Sequence, residues 1–239
     1  MKSINTTKTA LIIIDVQCGF RHPTHWGPSR STPECESNIA LLLNAARAHN
    51  KKLTANQDAA AAAAAAAPEI TICHVHHHSI HPTSLLHPSA QVEVDGVSVK
   101  AVDPEPFAAP QPGEAVFVKD VNSAFIGTDL EAFLRSREVR QLVIVGLTTD
   151  HCVSTSTRMA SNLRVVAVRR QRDDAHGGDA GEWVDEGDIV LVGDACATYA
   201  KGGFDAETVH RVSLASLDGE FAQVESTRRV LDGVFRLPG

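Results

Sequence analysis

Three residues of this chain carry groups that could do covalent chemistry, and each lies at or a short way beyond the end of a short apolar run. Cys152 lies in QLVIVGLTTDHCVSTSTRMASNL, Asp15 follows TALIII and Lys119 follows AVFV. A cysteine can attack a carbonyl and form a thioester. A carboxylate can take the thiol proton and return it to a leaving group. A lysine supplies positive charge that favours both the carboxylate and a thiolate. The plainer alternatives are a small buried thiol, a turn or cap carboxylate, and a solvated lysine.

The runs before these residues read as strands. Leu142 to Val145 is continuous and aliphatic, as suits a parallel strand covered on both faces. Gly146 ends it, and Thr148, Thr149 and Asp150 are competent N-caps for the helix that follows. Cys152 is thus expected at a helix N-terminus. Free N–H groups and the helix dipole there favour a thiolate and can hold an oxyanion. Open α/β sheets bind their ligands at the carboxyl ends of strands, where all three residues fall.

The rest of the chain supplies alternating elements. Thr9 to Ile14, Ile70 to Val75 and Ala115 to Val118 read as strands. Ser37 to Asn50 reads as an amphipathic helix, and Thr128 as the cap of DLEAFLRSRE. VEVDGVSV reads as a hairpin around Asp95-Gly96. Arg164 to Val168 and Ile189 to Val192 both look like strands. The second is favoured for the sheet, with Asp194 at its carboxyl end and the first in a hairpin insertion. Asp205 to Phe221 reads as a helix, and Gln223 to Ser226 as a last short strand before a terminal helix. Strands alternating with helices give a three-layer α/β sandwich with a central, mostly parallel six-stranded sheet and helices on both faces.

Six histidines lie between His74 and His87. In an extended chain His74, His76 and His78 share a face and His77 points the other way. They suit a metal site or neutral, hydrogen-bonded loop histidines, and the lack of an acidic residue among them favours the latter. The nine alanines from Ala59 to Ala67 offer no distinctive face to pack.

The 239 residues suit one domain with one large core. A net charge of −7 and a pI near 5.9 argue against nucleic-acid or anionic-membrane partners. No run is long enough to span a membrane, and the apolar stretch after Lys2 and Lys8 is too short for a signal peptide. Five cysteines with no C-x-x-C pair fit a reducing compartment, so a cytoplasmic location is expected.

LIIIDVQCGF, HVHHHSIHPTSLLHP, VFVKDVNSAFIGT, LVIVGLTTDHCVSTSTRMASNL and LVGDACATY together resemble, in family order, the isochorismatase-like cysteine hydrolases. The resemblance spans most of the chain. It implies one hydrolase domain over 1–239, with insertions at 54–68 and 169–188. It implies an Asp15-Lys119-Cys152 triad, a cis Leu147-Thr148 peptide and an oxyanion hole from the backbone at Thr148 and Cys152. Gln17, Phe20, Trp26, Phe125 and His151 are the expected pocket residues. His22 belongs to the same aromatic loop as Phe20 and Trp26.

Metal-binding nicotinamidase relatives carry Asp-x-His-x-x-x-His after the second strand, and this chain lacks that aspartate. No metal or other cofactor is therefore expected. The expected reaction is hydrolysis of a C–N bond in a small amide, ureide or carbamoyl compound, by a homo-oligomer (dimer or tetramer). The alternatives are vinyl-ether cleavage of the isochorismatase type, against which Cys152 weighs, and a silent binding protein on the same fold.

Overall fold

The computed structural model describes residues 1–57, 67–171 and 182–235. The expectations for the alanine run and for the middle of the 169–188 segment lie outside these residues, apart from Ala67.

Ten strands are described: β1 (Thr9–Ile14), β2 (Thr71–His77), β3 (Gln91–Val94), β4 (Val97–Lys100), β5 (Ala115–Lys119), β6 (Gln141–Leu147), β7 (Val168–Gln171), β8 (Glu182–Asp185), β9 (Asp188–Ala197) and β10 (Gln223–Glu225). The α-helices are α1 (Cys35–Gln57), α2 (Leu130–Ser136), α3 (Ser154–Asn162), α4 (Ala206–Ala215) and α5 (Thr227–Gly233). Six strands form one sheet in the order β10-β9-β6-β1-β2-β5, and every pairing in it is parallel.

Strand alternation divides the core into two layers. Leu11, Ile13, Val143, Val145 and Val190 face Ile39, Leu42, Leu43 and Ala46 of α1 and Val230 of α5. Ala10, Ile12, Ile14, Leu142 and Ile144 face Leu130 and Leu134 of α2 and Ala160 of α3. Every residue of β1 and β6 is buried, so both strands read as unbroken apolar runs rather than alternating ones.

This strand order sets the site. From β1 the chain first builds outward through β2 to β5, then returns to β6 on β1's other side. The order therefore reverses between β1 and β6, and a crevice opens at their carboxyl ends. Asp15 follows β1 and Cys152 follows β6, so they flank that crevice.

Several local readings need correction. Arg164 to Val168 is not a strand: Val165 and Val166 are buried in a turn after α3. Packing, rather than strand pairing, accounts for these β-branched residues. β7 starts at Val168 and pairs antiparallel with β8, outside the main sheet. The Ile189 to Val192 run does lie in the sheet, but β9 continues through Asp194 to Ala197 by way of a bulge opposite Ile144 to Gly146. Asp194 accepts from the backbone N–H and hydroxyl of Thr227, so it caps α5 rather than ending a strand. α1 runs seven residues past Asn50, and α4 stops at Ala215 instead of Phe221. Thr128 does accept from Leu130 N–H, at 3.4 Å.

The hairpin forms as expected, with positive φ at both Asp95 and Gly96, as a two-residue I′ turn requires. All five cysteines are free and buried. Among the described residues no helix is long and apolar enough to cross a membrane.

Candidate active site

Each reactive side chain is placed by a distinct local device. Asp15 leaves β1 with φ 52°, a left-handed conformation that aspartate tolerates better than most residues, and its N–H bonds Val75 O at 2.8 Å. Gly146 lies against β1: a Cβ there would sit 2.0 Å from Ile14 O. Only glycine permits so close an approach. The Leu147–Thr148 peptide that follows is cis.

The strand-to-helix join is one π-helical turn, Thr149–Val153, rather than an N-capped α-helix. Thr148 O accepts from Val153 N–H at 3.2 Å, and none of the expected cap side chains bonds the helix N-terminus. Cys152 lies inside this turn, just before α3. Lys119 is the last residue of β5, two strands from β1, which is about 10 Å away at the usual strand spacing. Its long stem crosses over β2.

The ammonium of Lys119 meets three acceptors: Asp15 Oδ2 at 2.7 Å, His77 Nδ1 at 3.1 Å and Cys152 Sγ at 3.3 Å. The side chains of Asp15 and Lys119 are wholly buried, and Cys152 is 7 % exposed. Asp15 Oδ1 is buried and takes no hydrogen bond within ordinary limits. It is free for the Cys152 proton, and the thiol lies within interaction range of the carboxylate. Asn122 Oδ1 is a further acceptor for the thiol, 3.7 Å from Sγ.

Burial dominates the electrostatics. It raises Asp15 above the ordinary carboxylate value, although Lys119 and Cys152 pull it back. Burial and then the Asp15 charge raise the Cys152 thiol well above its usual value, and Lys119 offsets only part of this. Burial and Asp15 thus oppose the thiolate that a helix N-terminus and Lys119 favour. The group is a thiol beside a carboxylate of raised basicity, which suits transfer of its proton at the moment of attack.

A cavity of about 270 Å³ opens onto Cys152. Phe20, Trp26 and Tyr199 form its apolar wall, with Phe20 and Trp26 stacked 4.6 Å apart. The polar ends of this wall are tied to backbone: Trp26 Nε1 donates to Gly19 O and Tyr199 OH to Phe20 O. Asn122, His77, Thr148 and Ser84 give the cavity its polar side.

His151 and Lys201 lie at the rim and both approach Asp150, which is also bonded by Thr198 Oγ1. Burial would raise Asp150, but Lys201, Thr198 and His151 together hold it below the ordinary range.

Of the expected pocket residues, Phe20, Trp26 and His151 line this cavity. Gln17 and Phe125 do not. Gln17 is fully buried and its carboxamide is used on backbone: Nε2 donates to Val102 O and His77 O, and Oε1 accepts from His77 N–H. It borders a neighbouring cavity with His22 and Arg30 instead. Phe125 packs with Ala124 and Leu130 against the core layer under α2 and α3.

His77 and Tyr199 escaped the sequence reading, though each left a signal. His77 is the histidine that faces away from its neighbours, and Tyr199 is the chain's one tyrosine, just past an apolar strand.

The histidine segment divides by face. β2 runs two residues further than expected, and His74 finds its carboxylate on Glu114, just before β5, rather than nearby in sequence. His74 Nε2 is 2.8 Å from Glu114 Oε2. Asp15, His77 and Cys152 also come together with metal-ligand chemistry, their ligand atoms within 4.8 Å of one another. Lys119 Nζ lies within 3.3 Å of all three, so an ammonium already uses these lone pairs. A cation added there would lie beside that charge. The residues do not suit a resident metal.

A family profile described as Isochorismatase domain matches residues 9–229. An uncharacterised isochorismatase family protein of Bacillus subtilis (strain 168), YrdC, is 33% identical over 230 residues, covering 94% of this chain and 95% of that protein. The ureidoacrylate amidohydrolase RutB of Rhizobium rhizogenes (strain K84 / ATCC BAA-868) is 31% identical over 102 residues, covering 38% of this chain and 41% of its own. A crystal structure from Chromobacterium violaceum ATCC 12472, described as a hydrolase of the isochorismatase family, superposes with a TM-score of 0.70 at 31% identity, over 95% of this chain and 93% of that one.

Proposed function

The chain belongs to the isochorismatase family, and we propose that within it this protein is a cysteine hydrolase cleaving a C–N bond of a small amide, ureide or carbamoyl compound. One observation carries this reading: a buried thiol shares a lysine ammonium with a carboxylate that keeps one oxygen free.

In the proposed cycle Asp15 Oδ1 takes the proton of Cys152, and Sγ attacks the substrate carbonyl carbon. The negative charge moves to the carbonyl oxygen, where backbone N–H groups at Thr148 and Cys152 receive it. The C–N bond then breaks as Asp15 gives its proton to the leaving nitrogen. Amine or ammonia departs and a thioester remains on Cys152.

A water molecule next yields a proton to Asp15 and attacks the thioester carbon. The C–S bond breaks, the sulfur recovers the proton, and an acid leaves. Lys119 holds Asp15 charged between proton transfers and balances the sulfur as it becomes anionic.

The cavity suits a small substrate, being just below the ~300–1,000 Å³ typical of drug-sized ligands. The partial likeness to a ureidoacrylate amidohydrolase adds weight to a ureide or related C–N bond. The proposed protein needs no cofactor and works in the cytoplasm as a homo-oligomer.

The test is ammonia release from a panel of small amides and ureides by the parent and by Cys152→Ser. A panel member hydrolysed by the parent alone, with an acyl adduct on Cys152 in the intact mass, is the expected result. Equal hydrolysis by Cys152→Ser overturns the reading.

A further inference from the structure

We propose that His77 is the positioning residue that holds Lys119 in place between Asp15 and Cys152, and that Gln17 is the clamp that fixes His77. The inference rests on the reading of Asp15, Lys119 and Cys152 as the catalytic machinery.

The topology creates the need. β2 lies between β1 and β5, so Lys119 must cross it to reach Asp15. His77 is the last residue of β2 and the register partner of Lys119. It is therefore the residue beneath the lysine stem as the stem crosses.

The hydrogen-bond count points the same way. An ammonium has three N–H donors. Lys119 is 2 % exposed and meets three acceptors, of which His77 Nδ1 at 3.1 Å is the only uncharged nitrogen. Without His77 a charged donor would be buried unpaired, or would turn away from the site.

The ring must be neutral to play this part. Burial first, then the Lys119 charge, lower His77 to about 4, with Asp120 and His78 as the other titratable groups acting on it. At neutral pH its Nδ1 lone pair thus faces Lys119 and its proton sits on Nε2. The Val121 carbonyl lies within hydrogen-bond reach of the ring. The peptide of His77 is held on both sides by Gln17, whose Oε1 accepts from His77 N–H at 2.8 Å and whose Nε2 donates to His77 O at 3.1 Å. The ring lines the cavity. Its Nδ1, however, is committed to the lysine, so its role is to position Lys119.

The experiment compares His77→Ala, His77→Asn and His77→Gln with the parent by the rate of Cys152 alkylation with iodoacetamide across pH. Intact mass confirms the labelled residue, and kcat and KM are measured on any panel substrate. Asparagine Oδ1 can stand where Nδ1 stands, and glutamine Oε1 lies a bond further out.

His77→Ala is expected to slow alkylation and lower kcat by roughly 10- to 100-fold, about what one charge-assisted hydrogen bond supplies, with KM changing much less. His77→Asn should recover most of this, and His77→Gln little. A His77→Ala protein within twofold of the parent in alkylation and kcat overturns the inference, as do His77→Asn and His77→Gln behaving alike. Should His77→Ala fail to fold, the Asn and Gln pair still decides. Loss of turnover in Cys152→Ser beside unchanged His77 variants would defeat this inference alone. Turnover by Cys152→Ser would defeat the reading beneath it.

Discussion

Two buried charge clusters lie along β2 and β5, one at their carboxyl ends and one around Glu114 where β5 begins, and the two are built to opposite effect. At the carboxyl end Asp15 receives one strong hydrogen bond, from Lys119, and keeps Oδ1 without a partner. At the other end Glu114 receives four: two from Arg47, one from Gln111 N–H and one shared with His74. Burial would raise both carboxylates. At Glu114 the donors win and hold it at about 2, whereas at Asp15 burial wins and the group is raised. A saturated carboxylate cannot take up a proton at neutral pH, and an under-coordinated one can. That difference separates a structural ion pair from a reactive one on the same pair of strands.

The comparison breaks most sharply on turnover. Cys152→Ser and Lys119→Ala should each lower kcat by about 10³-fold or more, since groups acting as a unit fail together. Glu114→Gln should leave kcat within about twofold, because its contacts serve packing. Steady-state kinetics on one hydrolysed amide checks both halves. A large kcat loss in Glu114→Gln would erase the distinction.

Stability should move next. Asp15→Asn leaves the Lys119 charge buried without its counter-charge, at a cost of about 3–5 kcal/mol. Adding Lys119→Met removes that charge, and the double variant should recover most of the loss. Denaturant midpoints of the single and double variants measure this. Equal destabilisation in both would show that the pair is not coupled.

Glu114 should tie stability to pH. Its folded value is depressed from the ordinary 4.5 to about 2. Its contribution is therefore complete above pH 4.5 and lost as pH falls toward 2. Over that window the parent should lose stability on the order of 2–3 kcal/mol that Glu114→Gln, already lacking it, does not lose. Parallel curves for the two proteins would refute the assignment. The smallest expected effect is that of chelation: EDTA should leave turnover unchanged, because Lys119 occupies the lone pairs of Asp15, His77 and Cys152. Loss of activity restored by a divalent ion would contradict this.

Much of this was legible in the sequence, because the sheet is parallel and buried on both faces. Thr9 to Ile14 reads as a strand to the residue, and the three residues that meet all lie at or beyond the carboxyl ends of such runs. What was hidden depends on contacts between distant segments. His74 lacks a carboxylate nearby in sequence but gains Glu114 from the turn before β5. Gln17 reads as a pocket residue until the backbone of His77 and Val102 consumes its amide. Val165 and Val166 look like a strand because packing into a turn demands the same residue types. The raised Cys152 thiol follows from burial, which a helix N-terminus read from sequence does not reveal.

Asp15 and Lys119 act on the Cys152 thiol with opposite sign. The rate of iodoacetamide alkylation of Cys152 against pH, with the site confirmed by peptide mapping, tests it most directly. In the parent the rate should rise with pH to above the ordinary thiol range, since burial and Asp15 raise the group. Asp15→Asn should shift the profile to lower pH and speed labelling while turnover is lost, and Lys119→Ala should shift it to higher pH. Profiles for both variants that overlay the parent's would contradict the account and leave Cys152 a structural thiol.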